Sequence, residues 1–173
     1  MHAATKILGM GVYTPERRIT NEDVLALLRS SSQGYLSEEE LETLVEKARL
    51  QLEKSGNLLR RWCNENQYCT DIARIASEMA LEDAGVGAED IDLIIYTGMS
   101  KAFVEPATAH VLRHEIGATK ANVIDTQDAC TSFMKSIEIA DSLIRNGNYR
   151  TVLIAAGERT YDWANLPARH WVN

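Results

Sequence analysis

The chain has 173 residues, 45% hydrophobic and 25% charged, enough for one packed core in a globular domain. A formal net charge of −7 and a pI near 5.1 exclude a general nucleic-acid binder and leave room only for a local basic patch toward a phosphate-bearing ligand. No apolar run approaches the roughly 18 residues of a bilayer span, and the N-terminus lacks the basic-then-apolar order of a signal peptide, so a cytoplasmic location without membrane contact is expected.

In chain order, Lys6 to Tyr13 reads as a short apolar strand interrupted by Gly9 and Gly11 and ended by Thr14-Pro15-Glu16. Gly9-Met10-Gly11 is too short for a nucleotide-binding loop. Thr20-Asn21 caps a helix carrying Val24, Leu25, Leu27 and Leu28. Over about 30–66 the composition shifts toward Ser, Gln and Glu, which reads as a helical insertion. Within it, Leu41, Leu44, Val45, Ala48 and Leu52 form an apolar stripe, and Ser37 with Glu40 makes a capping-box pair. Thr70-Asp71 caps the next helix, with Ile72, Ile75, Ala76, Met79 and Ala80 on one face and Gly85 at its end. Ile91 to Gly98 is nearly continuous apolar sequence, as in a parallel strand buried on both faces. A helix from Ala107 to Ile116, a strand from Asn122 to Asp125, a long helix after Cys130 and a strand from Thr151 to Ala156 complete the alternation. Strands alternating with helices predict an α/β fold with right-handed βαβ crossovers and helices on both sheet faces.

Cys130 stands where strand gives way to helix. Phe133, Ile137, Ala140 and Ile144, widened by Met134 and Leu143, predict about four turns packed on a core and ending near Asn146-Gly147. A cysteine in the first turn of such a helix meets the positive end of the macrodipole, which favours thiolate. The residues alone leave two readings: a packed core thiol, and a nucleophile. Cys63, Cys69 and Cys130 are an odd number at spacings that fit neither a disulfide framework nor a paired zinc site, so reduced thiols are expected.

The run Asp125-Thr126-Gln127-Asp128-Ala129-Cys130-Thr131-Ser132-Phe133, its helix and the following Tyr149 to Glu158 segment resemble the nucleophile region of thiolase-fold condensing enzymes, in particular the β-ketoacyl-acyl-carrier-protein synthase III-like group. The blocks RRITNEDV and ALEDAGVGAEDIDLIIYTG extend the similarity upstream. The resemblance implies a thiolase-like fold, with residues 1–173 as the N-terminal, nucleophile-bearing βαβαβ half of a layered α/β/α/β/α architecture. It implies acyltransfer by Claisen condensation through an acyl-Cys130 intermediate, with acyl-CoA or acyl-carrier-protein thioesters as substrates and no bound cofactor. Glu105, next to Pro106, matches a glutamate that in the olefin-forming branch reaches into a neighbouring site, and so stands as a candidate base. An equally simple reading makes it a carboxylate favoured by a helix N-terminus. Arg60, Arg61 and Trp62 are candidates for the adenine and phosphates of coenzyme A; the plainer reading is a partly solvated helix end with one packed tryptophan.

Other chemistry is weaker. His110 and His114 lie one helical turn apart but have no third ligand, so no metal site is expected. Asp125 and Asp128 read as turn-capping carboxylates near Cys130. The family's histidine and asparagine, which stabilise the enolate or oxyanion, have no matching context here, and His170 in Ala168-Arg169-His170-Trp171 does not supply one. Removing one such donor typically slows a reaction by two to three orders of magnitude. The expectation is therefore a chain that works with a complementary C-terminal-half subunit or a homologous thiolase-fold chain, with an acyl carrier protein as a further candidate partner. The alternatives are a fragment whose second half continues the same polypeptide, a non-catalytic scaffold subunit, and a simple acyltransferase or thioesterase.

Overall fold

A computed structural model describes residues 5–159. They divide into two compact units, one of residues 5–14 and 67–158 and one built on 15–66.

The larger unit is the βαβ core. Helix α3 (Cys69–Ala84) leads to strand β3 (Leu93–Thr97), helix α4 (Thr108–Glu115), β4 (Asn122–Thr126), α5 (Ser132–Arg145) and β5 (Val152–Ala156). The three strands form a parallel sheet in the order β4-β3-β5, with Ile95 opposite both Ile124 and Ile154. The continuous apolar run therefore becomes the central strand, every residue of which is buried. Alternation across the pleat sends Ile94 and Tyr96 into a cluster with Ala73, Ala109, Leu112 and Leu153, and Leu93 and Ile95 into a second with Ile139, Ala140 and Leu143. One face is thus covered by α3 and α4, the other by α5. A step from β3 to β4 and then back past β3 to β5 puts crossovers of equal hand on opposite faces, as the alternating sequence predicts. Each fully buried Leu or Ile of β3 contributes about 1.5–3 kcal/mol by the transfer of its side chain from water.

Residues 5–14 depart from expectation. The predicted strand from Lys6 to Tyr13 forms no ladder among the described residues; the segment lies instead along α3. A Cβ on Gly11 would sit 2.0 Å from the carbonyl oxygen of Ala76, and one on Gly9 2.5 Å from the amide of Ala84. The two glycines, facing the small residues Ala76, Ala80 and Ala84, permit a backbone-on-helix approach that no other residue allows. The Met10 amide donates to Asp83 at 2.9 Å, while Ile7, Met10 and Val12 remain exposed.

In the smaller unit, β1 (Arg17–Thr20) runs into helix α1 (Asn21–Ser32), then α2 (Glu38–Ser55) and β2 (Leu59–Trp62). Thr20 caps α1 as expected, reinforced by Asp23; Ser37 and Glu40 close the predicted capping box on α2, whose C-cap is Gly56. Both caps have their carboxylates held below the usual range by hydrogen bonds from Thr20 and Ser37. Residues 59–62, read from sequence as a helix end, are instead a strand antiparallel to β1, pairing Arg18 with Arg61 and Ile19 with Arg60. Gly56 in the left-handed conformation stops α2 and turns the chain toward that pairing. Among the described residues no helix is long and apolar enough to cross a membrane.

Candidate active site

Parallel strands deliver their following loops to one edge of a sheet, and here that edge collects the Lys101 to Glu105 loop after β3, the Cys130 turn after β4 and Glu158 after β5.

The Cys130 turn is built by backbone geometry. After Thr126, Asp128 enters a 3₁₀ turn over Ala129–Thr131, and Ala129 adopts φ 43°, the only non-glycine with positive φ among the described residues. A β-carbon in that region is rare and costs on the order of 1 kcal/mol or more, so such residues persist only where surroundings hold them. The surroundings are specific: the Ser132 hydroxyl donates to the Ala129 carbonyl at 2.7 Å and accepts from the Asp128 amide at 2.8 Å. The Thr131 hydroxyl and amide both donate to the Asp128 carbonyl oxygen, and the same hydroxyl lies 2.8 Å from the Asp128 carboxylate. Asp128 therefore closes the turn, as its sequence position suggested.

Cys130 itself is exposed, whereas Cys63 and Cys69 are buried. The structure corrects its expected position: α5 starts at Ser132, so Cys130 lies in the 3₁₀ turn before the helix rather than in its first turn. Positive φ at Ala129 takes the chain off the helical path, and regular α geometry resumes only two residues past the thiol. The packed face of α5 is corrected too. Ser132, Ser136, Ile139, Ala140 and Leu143 face the sheet, while Phe133 is 48% and Met134 67% exposed, with Ile137 also open. Two buried serines had hidden the true inner stripe from an argument based on apolar periodicity alone. They enter a polar chain in which Ser136 donates to the Ser132 carbonyl oxygen at 2.8 Å and lies 2.7 Å from the Thr126 hydroxyl, which donates to Thr97.

The loop after β3 is anchored at both ends. Gly98, at φ 126°, presents the amides of Met99 and Ser100 to the Glu158 carboxylate at 2.8 and 3.1 Å. The Tyr96 hydroxyl lies within hydrogen-bond distance of the carbonyl oxygens of Ser100 and Gly157. Further on, Lys101 pairs with Asp125 at 3.4 Å, and the Ala102 amide donates to Thr108. Glu105 precedes Pro106 through a cis peptide and is exposed, with no hydrogen bond or ion pair among the described residues. It lies before the α4 cap, Ala107, and the α4 amides of Thr108 and Ala109 are taken by Asp125 at 2.8 and 2.9 Å. The helix-terminal carboxylate read for Glu105 is thus Asp125 instead, arriving from the neighbouring strand rather than from the local sequence.

Beneath the loop, burial raises the Tyr96 hydroxyl far above its ordinary value, and the adjacent Cys69 adds to that rise; burial likewise pushes the Cys69 thiol up. Both stay neutral through the physiological range.

In the other unit, Arg60 donates to Asn21 at 2.6 Å, Arg61 donates to the carbonyl oxygen of Glu16 at 3.1 Å, and the Arg17 guanidinium lies 6.0 Å from the Trp62 ring centroid. His110 and His114 are exposed on α4, and no group of three metal-ligating side chains occurs among the described residues. His170 lies outside the described residues.

Sequence reasoning missed the Ser132–Ser136–Thr126–Thr97 chain and the Glu158 anchor. The first carries no periodic signal; the second was signalled only by a Gly-Glu pair directly after a predicted strand.

Residues 124–171, which include Cys130, match the family described as 3-oxoacyl-[acyl-carrier-protein] synthase III. The β-ketoacyl-[acyl-carrier-protein] synthase III of Rhodospirillum centenum is 31% identical over 162 residues, covering 92% of this chain and 45% of that protein. That of Xanthomonas euvesicatoria pv. vesicatoria is 30% identical, covering 93% and 46%. The chain spans about half the length of the curated relatives it matches. Among solved structures, the priming β-ketosynthase of the R1128 polyketide pathway superposes with a TM-score of 0.73 at 30% identity, covering 91% of this chain and 42% of that one. OleA of Xanthomonas campestris with bound acetamide gives 0.78 at 24%, covering 92% and 47%. By sequence and by fold, the chain is similar to β-ketoacyl-[acyl-carrier-protein] synthase III, and it has the thiolase-type α/β architecture.

Proposed function

We propose that this chain carries the nucleophile of a condensing enzyme that joins two acyl thioesters. The observation that carries the reading is one exposed thiol, Cys130, on a constrained turn at the C-terminal sheet edge of a chain related to synthase III. In the first step the Cys130 sulfur attacks the carbonyl carbon of an acyl-CoA or acyl-carrier-protein thioester, and the carrier thiol leaves. The Cys130 backbone N–H helps to hold the tetrahedral oxyanion. In the second, a carbanion from another thioester attacks the acyl-Cys130 carbonyl, releasing the cysteine thiolate and a β-ketoacyl product. The reaction so written uses no resident cofactor.

Glu105 is assigned as the base that removes the α-proton of the second thioester, which favours condensation without decarboxylation. Its exposure fits a role in a neighbouring chain's site better than in its own, because a carboxylate acquires useful basicity only when a partner buries it. Arg60, Arg61 and Trp62 are kept as the contact for the nucleotide end of coenzyme A, with Arg18 adding charge opposite Arg61. Their existing hydrogen bonds and the stacked Arg17 weigh against a tight site. Arg61→Ala then raises KM for acyl-CoA several-fold with kcat unchanged, and an unchanged KM removes this assignment.

The histidine and asparagine donors of the second step come from residues outside these 173, in a complementary thiolase-type half. Exposed Phe133, Met134 and Ile137 on α5, with Ile7, Met10 and Val12, give that half an apolar surface to cover. Product analysis by mass spectrometry on the native assembly with Cys130→Ala separates the alternatives. The reading predicts loss of both acyl loading and β-ketoacyl product. An assembly that stays active identifies this chain as a scaffold, and a wild-type protein that loads acyl groups but releases only free acid identifies a thioesterase.

A further inference from the structure

Resting on the acyl-Cys130 reading, we infer that Ser132 is a positioning residue that aims the Cys130 backbone N–H at the oxyanion. The argument runs through the peptide that joins Ala129 to Cys130. A trans peptide is planar, with its carbonyl and its N–H pointing in opposite directions, so fixing one fixes the other. The carbonyl is that of Ala129, and the Ser132 hydroxyl donates to it at 2.7 Å. The Ser132 hydroxyl oxygen in turn accepts from the Asp128 amide at 2.8 Å, so one hydroxyl grips the chain on both sides of the φ 43° bend. Ser132 is 3% exposed, which keeps water from competing for either bond. Its own backbone is held in turn: the Ser136 hydroxyl donates to the Ser132 carbonyl oxygen at 2.8 Å and meets Thr126, which is bonded to Thr97 of the central strand. The polar chain thus ties the plane of the Cys130 amide to the most buried part of the sheet. A donor that is fixed before the reaction need not reorganise as charge develops, and a small error in its aim weakens it sharply.

The test compares Ser132→Ala and Ser132→Thr with the wild-type full chain in its native assembly, by two reactions of the same sulfur. Alkylation of Cys130 by iodoacetamide develops no oxyanion and reports thiol access and an intact turn. Acylation by octanoyl-CoA, followed by intact mass, needs the oxyanion. Ser132→Ala is expected to alkylate within about threefold of wild type and to acylate about 10- to 100-fold more slowly, as for a misaligned oxyanion donor. Ser132→Thr, which keeps the hydroxyl, is expected to regain most of the acylation rate. Acylation of the alanine variant at the wild-type rate overturns the inference, and so does an equal fall of both reactions in both variants, which would mark a merely structural serine. A wild-type Cys130 that is alkylated but never acylated sinks the acyl-enzyme reading itself, and this inference with it.

Discussion

Ala129 shows how much of this site is decided by one backbone angle. At φ 43° it would be replaced by glycine with little strain, whereas a β-branched side chain clashes with its own backbone there. Ala129→Gly is therefore expected to fold and to keep Cys130 acylation within about threefold, and Ala129→Val to lose about tenfold or more while far-UV circular dichroism stays unchanged. Equal rates in the two variants would show that the bend does not matter. The neighbouring cysteine was legible in sequence as a thiol at a strand-to-helix junction. Its exposure, and its place two residues before the helix, were not, because a positive φ at an alanine leaves no mark in composition or periodicity. Asp125 was misread for a related reason: its partners are the amides of Thr108 and Ala109, which sequence distance separates from it.

At the scale of elements, the loop after β3 depends on a carboxylate from the end of β5. Glu158→Ala removes the acceptor for two amides, an interaction worth about 1 kcal/mol at an exposed position. A drop of a few degrees in Tm and new proteolytic cleavage within residues 98–107 are the expected results; an unchanged cleavage pattern would show that the loop is held otherwise. On α3, Gly11→Ala drives a Cβ into the Ala76 carbonyl oxygen and is expected to cost about 1–3 kcal/mol by denaturant unfolding. The elements themselves were largely readable. Buried β3, the capped starts of α1 and α2 and the Gly85 stop of α3 follow from local chemistry that acts within a few residues. The elements that failed depend on distant partners: residues 6–13 lie on a helix rather than in a ladder, and residues 59–62 pair with Arg17–Thr20, some 40 residues away. The inner face of α5 failed because Ser132 and Ser136 are buried for their hydrogen bonds, a choice that hydrophobic spacing cannot register.

For the whole molecule, the buried pair beneath the loop sets an alkaline limit. The Cys69 thiol and the Tyr96 hydroxyl are both raised by burial, so the unfolded chain loses these protons at lower pH than the folded one. Their contribution is fully present below the unfolded thiol value, about 8.5, and is lost as pH rises above it. Stability from urea unfolding should be level from pH 7 to 8.5 and decline toward pH 10, and Cys69→Ala should flatten the first part of that decline. A decline identical in the variant would place its origin elsewhere. The proposed function rests on Cys130 accepting an acyl group. The direct measurement is peptide-mapped mass spectrometry of the full chain, in its native assembly, after incubation with octanoyl-CoA. The account predicts one octanoyl group, on Cys130, absent from Cys130→Ala and not found on Cys63 or Cys69. An unmodified Cys130 beside a thiol that iodoacetamide readily labels, or an acyl group on another residue, would contradict it.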